Sequence, residues 1–158
     1  MFRMLPLILL AACTSEPPAN PQPGTVSWAT WQDYSLGLTL DYPDTWEESS
    51  YGDAHRLTLR NQGYPVLSVS HLSESEAAYD GLWGRNESDG EGFLAGKPAV
   101  LYAYDHAEPL TTLPTRSWVI PWSGKFLALE FRVRGGQLDS VQQAMLSRVR
   151  LAEPKPVP

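Results

Sequence analysis

The sequence has one cysteine, three histidines and, at its amino terminus, an apolar run too short to cross a bilayer. A lone cysteine, Cys13, has no partner for an internal disulfide, so disulfides do not hold this fold together. The apolar stretch from Leu5 to Ala12 is far shorter than the roughly 18 residues that a membrane-spanning helix requires. No Gly-x-Ser-x-Gly elbow is present, which makes nucleophilic hydrolysis a poor expectation. Basic side chains are also scarce. Twelve Lys and Arg stand against 18 Asp and Glu, and removal of Arg3 with a leader leaves 11 − 18, or −7. Nucleic acid and anionic lipid surfaces call for clustered Lys and Arg, so no nucleic-acid partner is expected.

What is present is the composition of an ordinary globular protein. Of 158 residues, 42% are hydrophobic and 19% charged, and six are Trp. Once a leader and linker are set aside, about 130 residues remain, enough for one domain with a real core.

Residues 1–12 read as an export signal, with Arg3 followed by the short apolar run. The tetrapeptide Leu10-Ala11-Ala12-Cys13 resembles the lipobox cut by the lipoprotein signal peptidase. There, small residues fit the peptidase site and the cysteine thiol takes a diacylglycerol before cleavage. Lipidation also explains a lone cysteine in an exported chain. Two or three acyl chains would anchor the protein essentially permanently, whereas one is marginal. The resemblance implies a membrane-anchored envelope lipoprotein facing the periplasm, with the bilayer as partner through acylated Cys13. Thr14 and Ser15 follow the cysteine, and the absence of Asp at the first of those places favours the outer membrane over the inner. Residues 13–27, with four prolines between Thr14 and Gly24, read as an extended tether.

From residue 28 to 152 the pattern is that of a domain, and residues 153–158 read as a frayed tail. Leu36 to Tyr42 alternates as a strand, and His55 to Arg60 with Val66 to Leu72 forms a hairpin. Ser73 to Trp83 opens with serine then acid and fits a short capped helix. Residues 81–96 read as a long, acidic, glycine-rich loop. Lys97 to His106, Thr115 to Trp122 and Lys125 to Val133 supply three strands. Of these, the nearly all-apolar run Phe126 to Phe131 suits a central strand covered on both faces. Leu138, Val141, Met145, Leu146 and Val149 fall at helical spacing. The expected fold is α+β, a largely antiparallel sheet flanked by helices.

Tyr34 to Trp46, with Gly37, Tyr42, Pro43 and Trp46, resembles the opening of PsbP-like domains. Gly96 to Ala99 before a strand, the aromatic strand ending near Trp122 and the closing Val149 to Leu151 extend the resemblance across most of residues 28–151. It implies a PsbP-like α/β/α sandwich. It also implies a nonenzymatic binding or assembly role, since members of that fold are mostly such modules, although fold alone does not fix function.

Candidate chemistry is sparse. Asp53 with His55, and His106 with Glu108, would each share a strand face. Zinc needs three or four converging ligands, so solvent-facing polar pairs are the expectation and no metal or cofactor is assigned. The rival reading is a periplasm-facing enzyme or metal protein that uses His55 or His106. Arg85 to Gly90 departs from a calcium loop, because Arg85 takes the first ligand place and Gly96 the twelfth. Trp28 and Trp31, at the linker boundary, are expected to stay partly exposed, with Tyr64 a further candidate. The segment Asp80 to Glu91 is the expected surface for an unidentified envelope protein or ligand. It offers Asp80, Glu87, Asp89 and Glu91 as charge and Tyr79 and Trp83 as apolar anchors. Trp83 could equally staple the preceding helix onto the sheet.

Overall fold

The computed structural model describes residues 19–50, 52–79, 82–108 and 111–154. The expected export signal, Cys13, Asp80 and the end of the tail from residue 155 lie outside the described residues.

Strands β1 (Trp28–Asp33), β2 (Leu38–Pro43) and β10 (Arg150–Leu151) form a three-stranded antiparallel sheet in the order β1-β2-β10. The larger antiparallel sheet is built from β3 (Glu47–Ser49), β4 (His55–Asn61), β5 (Tyr64–Leu72), β6 (Ser88–Leu94), β7 (Lys97–Glu108), β8 (Thr111–Trp122) and β9 (Lys125–Arg132). Its seven strands run β3-β4-β5-β9-β8-β7-β6. Helix α1 (Glu74–Tyr79) is followed by a 3-10 turn at Trp83–Arg85, and α2 (Ser140–Ser147) precedes β10.

Alternation along β9 sorts the interior into two layers. Leu127, Leu129 and Phe131 join Leu57, Leu59, Leu67 and Val69 on one face. That face is covered by Leu38 and Leu40 of β2 and by Val141 and Met145 of α2. Full burial of each such side chain stabilises the fold by about 1.5–3 kcal/mol. Phe126 and Ala128 point the other way, into a smaller cluster with Leu72, Val119, Ala77, Leu82 and Trp83. The β8–β9 hairpin turns at Ser123-Gly124, both with positive φ (48° and 76°), as a tight two-residue hairpin requires.

The small sheet is tied to the large one by a buried ion pair. Asp33 accepts the Arg56 Nε at 2.7 Å, the Ser35 hydroxyl at 2.6 Å and the Leu36 amide at 3.1 Å. Burial alone would raise the Asp33 carboxyl, but these donors outweigh it and hold it below the usual carboxylate range.

The expected α+β arrangement, a sheet flanked by helices in an α/β/α sandwich, is overturned. The described residues are mostly strand, in two antiparallel sheets, and their two α-helices span six and eight residues. Three segments depart from the expectation. The acidic, glycine-rich stretch expected as a loop is β6, recruited by the long backbone of β7. The helix expected to reach Val149 stops at Ser147, and Arg150–Leu151 pairs with β2 instead. The expected tether folds onto the domain before residue 27. Asn20 Nδ2 donates to Asp139 at 2.6 Å, Asn61 donates to Asn20 at 3.1 Å, and Val26 packs on the core.

Candidate functional site

Beyond the Trp83 cluster, the same face of the large sheet carries a row of polar side chains. In register, Glu130 of β9 lies between Ser68 of β5 and Ser117 of β8, and Arg132 lies opposite Thr115. Glu130 is only 1% exposed. Its carboxylate accepts the Ser70 hydroxyl at 2.9 Å and also the Tyr104 hydroxyl. A buried charge without such donors would be strongly unfavourable. Burial first, and then the charge of Glu130, push the Tyr104 phenol up, so it remains a donor.

Basic groups gather around this carboxylate. His55 Nδ1 lies 3.5 Å from the Ser70 hydroxyl. Arg132 is 9% exposed; its Nη1 donates to the Glu130 carbonyl at 3.1 Å, while its Nε has no hydrogen-bond partner among the described residues. Burial, then the Arg132 charge and then His55, lower His106 to about 4, so its imidazole is neutral at physiological pH. The two histidines expected to act separately therefore share one face. Asp53, expected beside His55, accepts from Arg56 at 3.3 Å. The Glu108 side chain lies outside the described residues. Among the described residues no three His, Cys, Asp or Glu side chains converge as a cation site. The third histidine, His71, hydrogen-bonds the Trp122 carbonyl at 2.8 Å.

Sequence reasoning missed Glu130, Ser70, Tyr104 and Arg132. The one visible signal was a carboxylate inside the apolar run Phe126 to Phe131, where a buried central strand should carry none.

A second surface lies at the end of the sheet. Strand β6 pairs only with β7, so its outer edge is unpaired among the described residues, while the opposite edge strand, β3, has three residues. Glu87, Asp89 and Glu91 are exposed, and Asp89 forms an ion pair with Arg116. Glu91 sits opposite Val100, Phe93 opposite Pro98, and Val100 opposite Val119. These residues and Pro121 line a shallow groove of about 440 Å³. Phe93 is 70% exposed and Val100 39%, uncommon for large apolar side chains that neighbour one another.

The expected anchors fall differently. Trp83 is 3% exposed, packed against Phe126 and Tyr102, and so presents no apolar surface to a partner. Tyr79 ends α1, and its side chain lies outside the described residues. Trp28 and Trp31 are half-buried against the main core, with the Arg148 guanidinium 4.3 Å above the Trp28 ring. Tyr64 opens β5 and is half-buried.

With Asn20 latched to Asp139 and Asn61, only residues 14–19 separate it from Cys13, a reach of at most about 25 Å when fully extended. Asn61 ends β4, five strand positions from β6, or about 24 Å across the sheet. No helix among the described residues is long and apolar enough to cross a membrane. No protein-family model and no curated protein matches the chain, so the resemblance to PsbP-like domains rests on the residues quoted for it.

Proposed function

We propose that the chain is a lipid-anchored protein of the bacterial cell envelope whose domain is a nonenzymatic, protein-binding or assembly module. Cys13 carries the acyl anchor, the domain faces the periplasm, and the outer membrane is favoured over the inner. The observation that supports binding is the exposed groove at β6. A free sheet edge that presents Phe93 and Val100 to water has apolar area for a partner to cover. The lipobox residues support the anchor.

A Cys13→Ser chain should leave the membrane fraction and lose incorporation of labelled palmitate. Unchanged fractionation together with unchanged labelling would sink the anchor. The rival reading, an enzyme or metal protein using His55 or His106, is favoured by one observation, the common face those residues share with Ser70 and Glu130. Metal analysis of purified protein decides between the two, since a stoichiometric metal bound through either histidine moves the case to the rival.

A further inference from the structure

We infer that β6 takes up an extended, basic segment of a partner protein as an added strand, with a Lys or Arg opposite Glu91 and an apolar side chain two residues away on Phe93. The inference rests on the binding role proposed above and names the chemistry of its partner.

The edge itself is the first observation. Six of the seven residues of β6 pair with β7 and none pairs on the other side among the described residues, whereas the other end of the sheet closes on the three residues of β3. Charged residues and a bulge are the usual devices that keep an edge from pairing, and Asp89, Glu91 and the register shift at Gly90 fit that use. Phe93 does not. A protected edge has no use for an aromatic ring left in water beside Val100, Pro98 and Pro121.

Face and charge then select the occupant. Glu91 and Phe93 point to one face of the strand, while Gly90 and Gly92 alternate with them and present no side chain to the other. An incoming strand therefore meets bulk and charge on a single face, and residues two apart on that strand would stand opposite Glu91 and Phe93. The local field is negative, from Glu87 and Glu91 beside the Asp89–Arg116 pair on a chain of net charge −6. A second copy of this chain, paired antiparallel about Glu91, would set the two Glu91 carboxylates opposite one another, which is destabilising. A basic partner gains from the same carboxylates.

The test titrates purified, isotopically labelled full chain with a capped peptide of repeated Lys-Thr-Val-Thr, which sets lysine and valine two residues apart on one face, followed by amide NMR shifts. Shifts should concentrate at residues 88–94. The variants Phe93→Ala and Glu91→Lys should each weaken binding by at least about fivefold while leaving the fold intact, since both side chains are exposed. Raising salt from about 0.05 to about 0.5 M should weaken binding severalfold. Four outcomes each overturn strand addition: no shifts at about 1 mM peptide; shifts centred on the Glu130 row; equal binding by a glutamate-valine peptide, or by a peptide of the same charge with its valines clustered; and concentration-dependent shifts at 88–94 without peptide, which would mark self-pairing. Crosslinks to an envelope protein in native membranes that survive Phe93→Ala would refute the β6 site and leave the binding role standing.

Discussion

Replacing Trp83 with Ala separates two uses of one indole, an anchor for a partner or a staple for helix α1. The ring is 3% exposed, meets Phe126 edge-on with centroids 5.3 Å apart, and tilts against Tyr102 at 5.8 Å. Truncating a core Trp to Ala costs about 3–5 kcal/mol, and each of the two ring contacts contributes about 0.5–1.5 kcal/mol of that. The indole N–H is buried with no partner among the described residues, and deleting it returns about 1 kcal/mol. The lower end, about 3 kcal/mol, is therefore expected, which for a domain of this size lowers Tm by about 10–15 °C. Thermal melts followed by circular dichroism, with urea titration, read the effect. Trp83→Phe should cost under about 1 kcal/mol, because it keeps apolar bulk and removes the unpaired donor. Gly84→Ala should destabilise in the same direction, since a Cβ there would lie 2.8 Å from the Glu74 carbonyl oxygen and 2.9 Å from the Ala78 amide nitrogen. A Trp83→Ala chain that melts within about 1 kcal/mol of the parent yet loses its crosslinks in native membranes would refute the staple and restore the partner anchor.

Tyr104→Phe should cost about 1.5–3 kcal/mol in urea titration, because it removes one of the two hydroxyl donors to the buried Glu130 carboxylate. A cost below about 0.5 kcal/mol would mean that water replaces the phenol. Acidification acts through His106, held near 4 when folded against about 6.5 unfolded, because burial and then Arg132 and His55 disfavour its proton. The unfolded chain binds that proton first, so stability is complete above about pH 6.5 and falls as pH drops toward 4. The gap corresponds to about 3 kcal/mol, reduced to about 1–2 kcal/mol by solvent screening of a half-buried ring. His106→Gln should flatten that part of the stability profile, and an unchanged slope would assign it to other groups.

The acidic balance, the lone cysteine and the lipobox residues are properties of the chain that need no folding to exist, and they are read from sequence alone. So are β2, β4, β5, β8 and β9, because each buries one or both faces and its side chains record that burial in their order. Strand β6 was not legible. Ser-Asp-Gly-Glu-Gly carries no apolar alternation, only Leu94 of the strand is buried, and its extended state comes from backbone pairing with β7. The polar row was half legible. Glu130 stands out in its apolar run, but its donors lie 60 residues away at Ser70 and 26 away at Tyr104, separations that no local pattern encodes. The tether ended early for the same reason: Asn20 is held by Asp139, 119 residues further on. Trp83 shows the division most plainly. Sequence placed an indole after a short helix with two uses open to it, and the neighbours Phe126 and Tyr102, supplied by β9 and β7, decided which. Local order specifies which face of an element is apolar, while only tertiary structure specifies what covers that face.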